Sequence, residues 1–138
     1  MTEIVIDASV SAAWLLPDED SVIAAKAFDL VFMNRAFVPS IWNFEICNII
    51  VINERRGRLS RAQCEYAFQM LGGLKIICDT ETRQAETLHL ARKYSLTFYD
   101  AAYLELALRR NIPLATLDKR LAAAALDCQA LFLQQDSD

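Results

Sequence analysis

Short apolar, β-branched runs recur along this chain between longer segments of helical period, and that alternation leaves few folds open. Glu3–Asp7 (EIVID), Ala36–Pro39, Lys75–Asp79, Leu114–Asp118 and Ala130–Leu133 read as strands. Between them, helices are expected from Ser9 to about Leu16, from the Asp18-Glu19-Asp20 cluster to about Met33, and over Ile41–Arg56, Ser60–Leu71, Glu81–Tyr94, Tyr99–Arg110 and Lys119–Leu126. Ser9 and Ser60 are the expected N-caps, and Pro17 and Gly72-Gly73 the expected stops. Strands linked through helices predict an α/β fold with a mostly parallel sheet, because parallel neighbours need a crossover connection. Three Gly and three Pro are too few for a many-turned sandwich or propeller. A length of 138 residues suits one core, so residues 1–138 are expected to form a single domain.

Several classes of protein are excluded at once. No apolar run approaches the roughly 18 residues that a membrane helix requires. The start is not expected to be a secretory leader, since Glu3 and Asp7 stand where basic and apolar residues belong. Cys47, Cys64, Cys78 and Cys128 are 17, 14 and 50 residues apart, a spacing that fits neither a zinc site nor a disulfide framework. Buried thiols in a reduced cytoplasm are the expectation. A net charge of −4 rules out a basic nucleic-acid coat, but not a nucleic-acid enzyme whose acids gather around metal.

Four acids break the local pattern. Asp7 ends the first strand and Asp118 ends a later one, where the open edge of a parallel sheet presents ligands. Glu45 has Ile41, Trp42 and Ile49 as helical neighbours, an apolar setting that is costly for a lone carboxylate. Asp100 opens the helix that carries Ala101, Ala102, Leu104 and Ala107. Taken singly, Asp7, Asp100 and Asp118 read equally well as N-caps. Taken together, four carboxylates without nearby cations suit a bound divalent ion with oxygen ligands, Mg²⁺ or Mn²⁺ rather than zinc.

Four segments, IVIDAS, PSIWNFEICNII, LTFYDAAYLELAL and LATLDKRLAAAA, resemble the PIN domain in the family's own order. The likeness is strongest to the VapC toxins of bacterial toxin–antitoxin pairs. The resemblance implies a PIN-like three-layer α/β/α architecture and an Mg²⁺-dependent endoribonuclease with a small antitoxin partner. It carries the family's acidic quartet onto Asp7, Glu45, Asp100 and Asp118, and the accompanying polar residues onto Ser9, Asn48 and Thr116.

On this reading the quartet holds metal and hydrolyses RNA phosphodiesters, with Mn²⁺ able to replace Mg²⁺. Arg55, Arg56, Arg58 and Arg61, with the pairs Arg109-Arg110 and Lys119-Arg120, are candidate phosphate contacts. His89 stands apart from every acid and is assigned no role. A hydrophobic content of 54%, with exposed-looking Trp14, Phe28 and Phe32, predicts a homodimer. Three rival readings stay open: a phosphotransferase with Asp7 as nucleophile, although Ser9 stands where such enzymes carry a second Asp; a non-catalytic PIN-fold interaction module whose first two helices form a groove; and a DNA nuclease.

Overall fold

The computed structural model describes residues 2–135. Four strands, β1 (Ile4–Ile6), β2 (Ala36–Pro39), β3 (Ile76–Asp79) and β4 (Leu114–Ala115), form one parallel sheet in the order β3-β2-β1-β4. Helices α1 (Ala8–Leu15) and α2 (Val22–Met33) connect β1 to β2, and α3 (Ile41–Arg55) and α4 (Arg61–Gly73) connect β2 to β3. Helices α5 (Gln84–Tyr94) and α6 (Phe98–Arg110) lead into β4, and α7 (Lys119–Asp127) follows it. The architecture is the expected three-layer α/β/α one.

All residues of β1 and β2 are buried, as helices on both sheet faces require. Helix α6 lies along β1 and β2 with α5 and α7 beside it, while α2 and α3 reach the sheet with α1 between them. Ile4, Val5, Ile6, Val38, Leu104, Leu106 and Leu121 form the centre of the core.

The topology positions the site. The chain steps outward from β1 to β2 to β3 and then returns to the other side of β1 as β4. Strand order therefore reverses at β1, and the carboxyl ends of β1 and β4 flank the crevice where open α/β sheets bind ligands. The register pairs Val5 with Leu114 and Ile6 with Ala115, which brings Asp7 and Thr116 next to one another.

Some local expectations are corrected. Asp7, not Ser9, caps α1: it is extended and accepts from the Val10 N–H. Asp18, Glu19 and Asp20 lie ahead of α2, which Ser21 caps, and Asp18 pairs with Arg58 at 2.6 Å. Helix α2 buries Ile23, Ala24, Ala27 and Val31, while Val22 and Ala25 are exposed. Ser60 does cap α4, in a reciprocal box with Gln63, but Gly72 and Gly73 lie inside that helix. The last expected strand shrinks to one bridge between Leu131 and Leu114, since β4 is only two residues long and offers no further ladder.

Candidate functional site

Asp7 sits one residue beyond β1, 5% exposed, with donors on both carboxylate oxygens. The Ser9 hydroxyl donates to its Oδ1 at 2.6 Å and the Val10 N–H to the same oxygen at 3.1 Å. The Thr116 hydroxyl donates to Oδ2. Both hydroxyls also tie the two strand ends together: Ser9 Oγ accepts from the Leu117 N–H at 2.9 Å, and Thr116 Oγ1 from the Asp118 N–H at 3.0 Å. Beneath them the Trp42 indole donates to Ser11 Oγ, which donates to the Asp7 carbonyl, each at 2.9 Å. That chain seats α3 against the end of β1. An acid so enclosed suits a fixed ligand better than an attacking nucleophile.

The other three acids arrive from three further elements. Glu45, half-buried in the second turn of α3, accepts from the Tyr103 phenol at 2.6 Å. Asp100 lies in the first turn of α6, where Thr97 is the cap, so the Asp100 carboxylate is not spent on capping. Asp118 is exposed and caps α7 through Leu121 N–H at 2.9 Å. The capping interpretation thus holds for Asp7 and Asp118 and fails for Asp100. Asn48 is exposed one turn beyond Glu45, and its side chain makes no hydrogen bond among the described residues.

Electrostatics link the four. Burial pushes the Asp7 carboxyl up to about 6 against the pull of its three donors, and the Asp100 charge adds to the rise. Glu45 is raised by burial and by Asp100, although Tyr103 draws it down. Asp100 is itself raised by burial and by Asp118. No Lys, Arg or His lies within ion-pair distance of any of the four among the described residues. Mutual repulsion in a half-dry crevice, with no protein cation to relieve it, is the setting that a hard divalent cation would neutralise. Among the described residues, no three acidic, thiol or imidazole groups converge closely enough to share one ion directly. A divalent ion serving these acids would therefore have to keep part of its water shell, as Mg²⁺ readily does.

The basic residues sort differently from expectation. Arg109 is nearly buried between Glu105 and Asp79, and Arg110 pairs with Asp79 at 2.9 Å while stacking on Phe37. Arg58 is held by Asp18 and Asn53, and Arg61 lies 3.7 Å from Glu65. Arg55, Arg56 and Lys119 are exposed and outside every ion pair among the described residues. Trp14 and Phe28 are half-buried, edge to face at 5.4 Å, and only Phe32 of that trio is well exposed. Tyr103, absent from the residues expected at the site, is the one addition.

Fold and site together define an open parallel α/β protein with an acidic crevice at the reversal point of its sheet. Residues 4–126 match the PIN domain, and the chain belongs to the PIN domain family. It is 31% identical over 124 residues to Ribonuclease VapC3 of Pyrobaculum aerophilum, covering 87% of this chain and 92% of that protein. The crystal structure of PAE2754 from Pyrobaculum aerophilum superposes with a TM-score of 0.69 at 25% identity, over 89% of this chain and 79% of that one. VapC20 of Mycobacterium tuberculosis, described as a sarcin-ricin-loop-cleaving toxin, shares the fold with a TM-score of 0.56 at 14% identity, over 88% and 94% of the two chains.

Proposed function

We propose that this chain is a divalent-metal-dependent endoribonuclease, the toxin of a toxin–antitoxin pair, acting in the cytoplasm as a single PIN-like domain over residues 1–138. The observation that carries the reading is the set of four carboxylates from four elements, electrostatically coupled and without a protein cation. Its similarity to a protein named as a ribonuclease supports the choice of substrate.

In this reading Asp7, Glu45, Asp100 and Asp118 hold Mg²⁺, with Mn²⁺ as a substitute. The bound ion would supply an activated water and neutralise charge on the leaving oxygen of the phosphodiester. Asp7 would be the central ligand, since three donors fix its direction, and Asp100, uncommitted to a cap, would share the ion with it. Ser9 and Thr116 orient Asp7, and exposed Asn48 would offer its amide to RNA. Arg55, Arg56 and Lys119 provide the phosphate contacts that a net-negative protein needs.

Two partner surfaces belong to the same proposal. A groove between α1, α2 and α4 is lined by Trp14, Phe28, Tyr66 and Met70 and edged by Glu19, Asp20 and Asp29. It suits an amphipathic antitoxin segment with basic side chains. A second apolar groove, lined by Trp42, Ile46, exposed Phe68, Leu71, Leu74 and Ile76, suits a homodimer contact. Cleavage of end-labelled RNA tests the central reading. The parent should cut in Mg²⁺ and stop in EDTA, and Asp7→Asn should lose activity by orders of magnitude with the fold intact. Undiminished cleavage by Asp7→Asn, or indifference to EDTA, would sink it.

A further inference from the structure

Glu45 differs from the other three acids in one physical respect: its side chain is the longest. Asp7 is clamped by three donors, and Asp100 and Asp118 are short side chains in or next to a first helical turn. A glutamate on a helix face has an extra rotor, and ordering it costs entropy unless something holds it. The hold comes from α6. Tyr103 is 1% exposed, and its hydroxyl donates to Glu45 Oε1 at 2.6 Å across 58 residues of sequence. Among the described residues neither side chain has another hydrogen-bond partner, so the pairing is exclusive on both sides.

The chemistry of the donor matters. A lysine or arginine in this place would also fix Glu45, but would cancel the negative charge that attracts a cation. A phenol fixes the carboxylate and leaves its charge whole. An ordinary phenol, with a pKa of about 10, is an uncharged donor at neutral pH. Tyr103 occupies one oxygen of Glu45 and leaves Oε2 without a protein donor.

We propose that Tyr103 is a positioning residue for metal binding: its buried phenol holds Glu45 by Oε1 and presents Oε2 to the divalent ion. The proposal rests on the metal-dependent reading above and adds to it the residue that preorganises one ligand. Partners that orient metal ligands typically contribute about 10- to 100-fold in metal affinity.

Mn²⁺ binding, followed by calorimetry and by the spin-resonance signal of free Mn²⁺, tests this without any cleavage assay. Tyr103→Phe keeps the ring that fills the core and removes only the hydroxyl, and far-ultraviolet circular dichroism checks that the fold is retained. The Mn²⁺ dissociation constant should rise about 10-fold or more. In a Glu45→Ala background, where the phenol has nothing to hold, the same Tyr103→Phe change should move it by less than about twofold. Equal weakening in both backgrounds would mark Tyr103 as merely structural and overturn the proposal alone, as would unchanged affinity in the single variant. A parent protein that takes up no Mn²⁺ would overturn the metal reading and this proposal with it.

Discussion

Asp7 combines three roles in one carboxylate: it caps α1, it joins the ends of β1 and β4 through Ser9 and Thr116, and it is the proposed central ligand. Its place at the end of EIVID was legible in sequence, because a β-branched run that halts on an acid is a recognisable strand end. Its cap was legible only as one of two candidates, since Asp7 and Ser9 are both good cap residues, and only the extended backbone at Asp7 decides between them. Tyr103 was hidden for a different reason. In AAYLELAL a tyrosine looks like core filling, and only the spatial arrival of Glu45 gives its hydroxyl a purpose. The burial of Asp7 carries a stability cost. A folded-state value near 6, above the ordinary carboxylate value of about 3.9, means the folded chain binds the extra proton. Metal-free protein should therefore lose stability as pH rises from about 4 to about 6. Asp7→Asn keeps an amide oxygen for Ser9 and Val10, so the cap survives while the buried charge goes. At neutral pH without metal it should melt several degrees higher, from about 1–2 kcal/mol of relieved desolvation and repulsion. The Mn²⁺-induced rise in melting temperature should meanwhile flatten. A variant that melts lower without metal yet responds fully to Mn²⁺ would reduce Asp7 to a cap.

Strand β3 is an edge strand, and an ion network attaches its end to α6. Arg109 bonds Glu105 at 2.9 Å and Asp79 at 3.0 Å, with all three side chains largely out of solvent, and Arg110 adds a second contact to Asp79. Burial raises the Asp79 carboxyl, but Arg109, the Glu81 N–H and Arg110 outweigh it and leave it below its ordinary value. Between the two values the unfolded chain binds the proton that the folded chain refuses. Stability from Asp79 is therefore complete above about pH 4 and is lost on further acidification. Arg109→Met leaves the buried Glu105 carboxylate without its partner, while Asp79 keeps Arg110 and the Glu81 N–H, and should cost about 3 kcal/mol in urea unfolding at neutral pH. A cost below about 1 kcal/mol would show that the network is wet and incidental. None of this was legible in sequence, because Arg109-Arg110 at a helix end reads as a pair free to contact phosphate. The inward face of helix α2 is hidden in sequence for a related reason. VIAAKAFDLVFM is apolar nearly all round, so periodicity cannot say that Ile23, Ala24, Ala27 and Val31 face inward and Val22 outward. The strands β1 and β2 were plain because burial on both faces leaves only one reading of an unbroken apolar run.

The whole molecule places its acidic crevice at the sheet's reversal point and leaves its two apolar grooves on α1/α2/α4 and around α3/α4/β3. Those surfaces carry separate expectations. Light scattering at tens of micromolar protein should give a dimer, and Phe68→Asp should give a monomer that retains its helical content. A parent that stays monomeric would remove the dimer from the account. The crevice has the more decisive test, an anomalous-difference map from crystals grown with Mn²⁺. The account predicts a peak bounded by Asp7, Asp100, Glu45 and Asp118, lost in Asp100→Asn crystals. A map that leaves the four acids empty, from protein that still cleaves RNA in Mn²⁺, would contradict it.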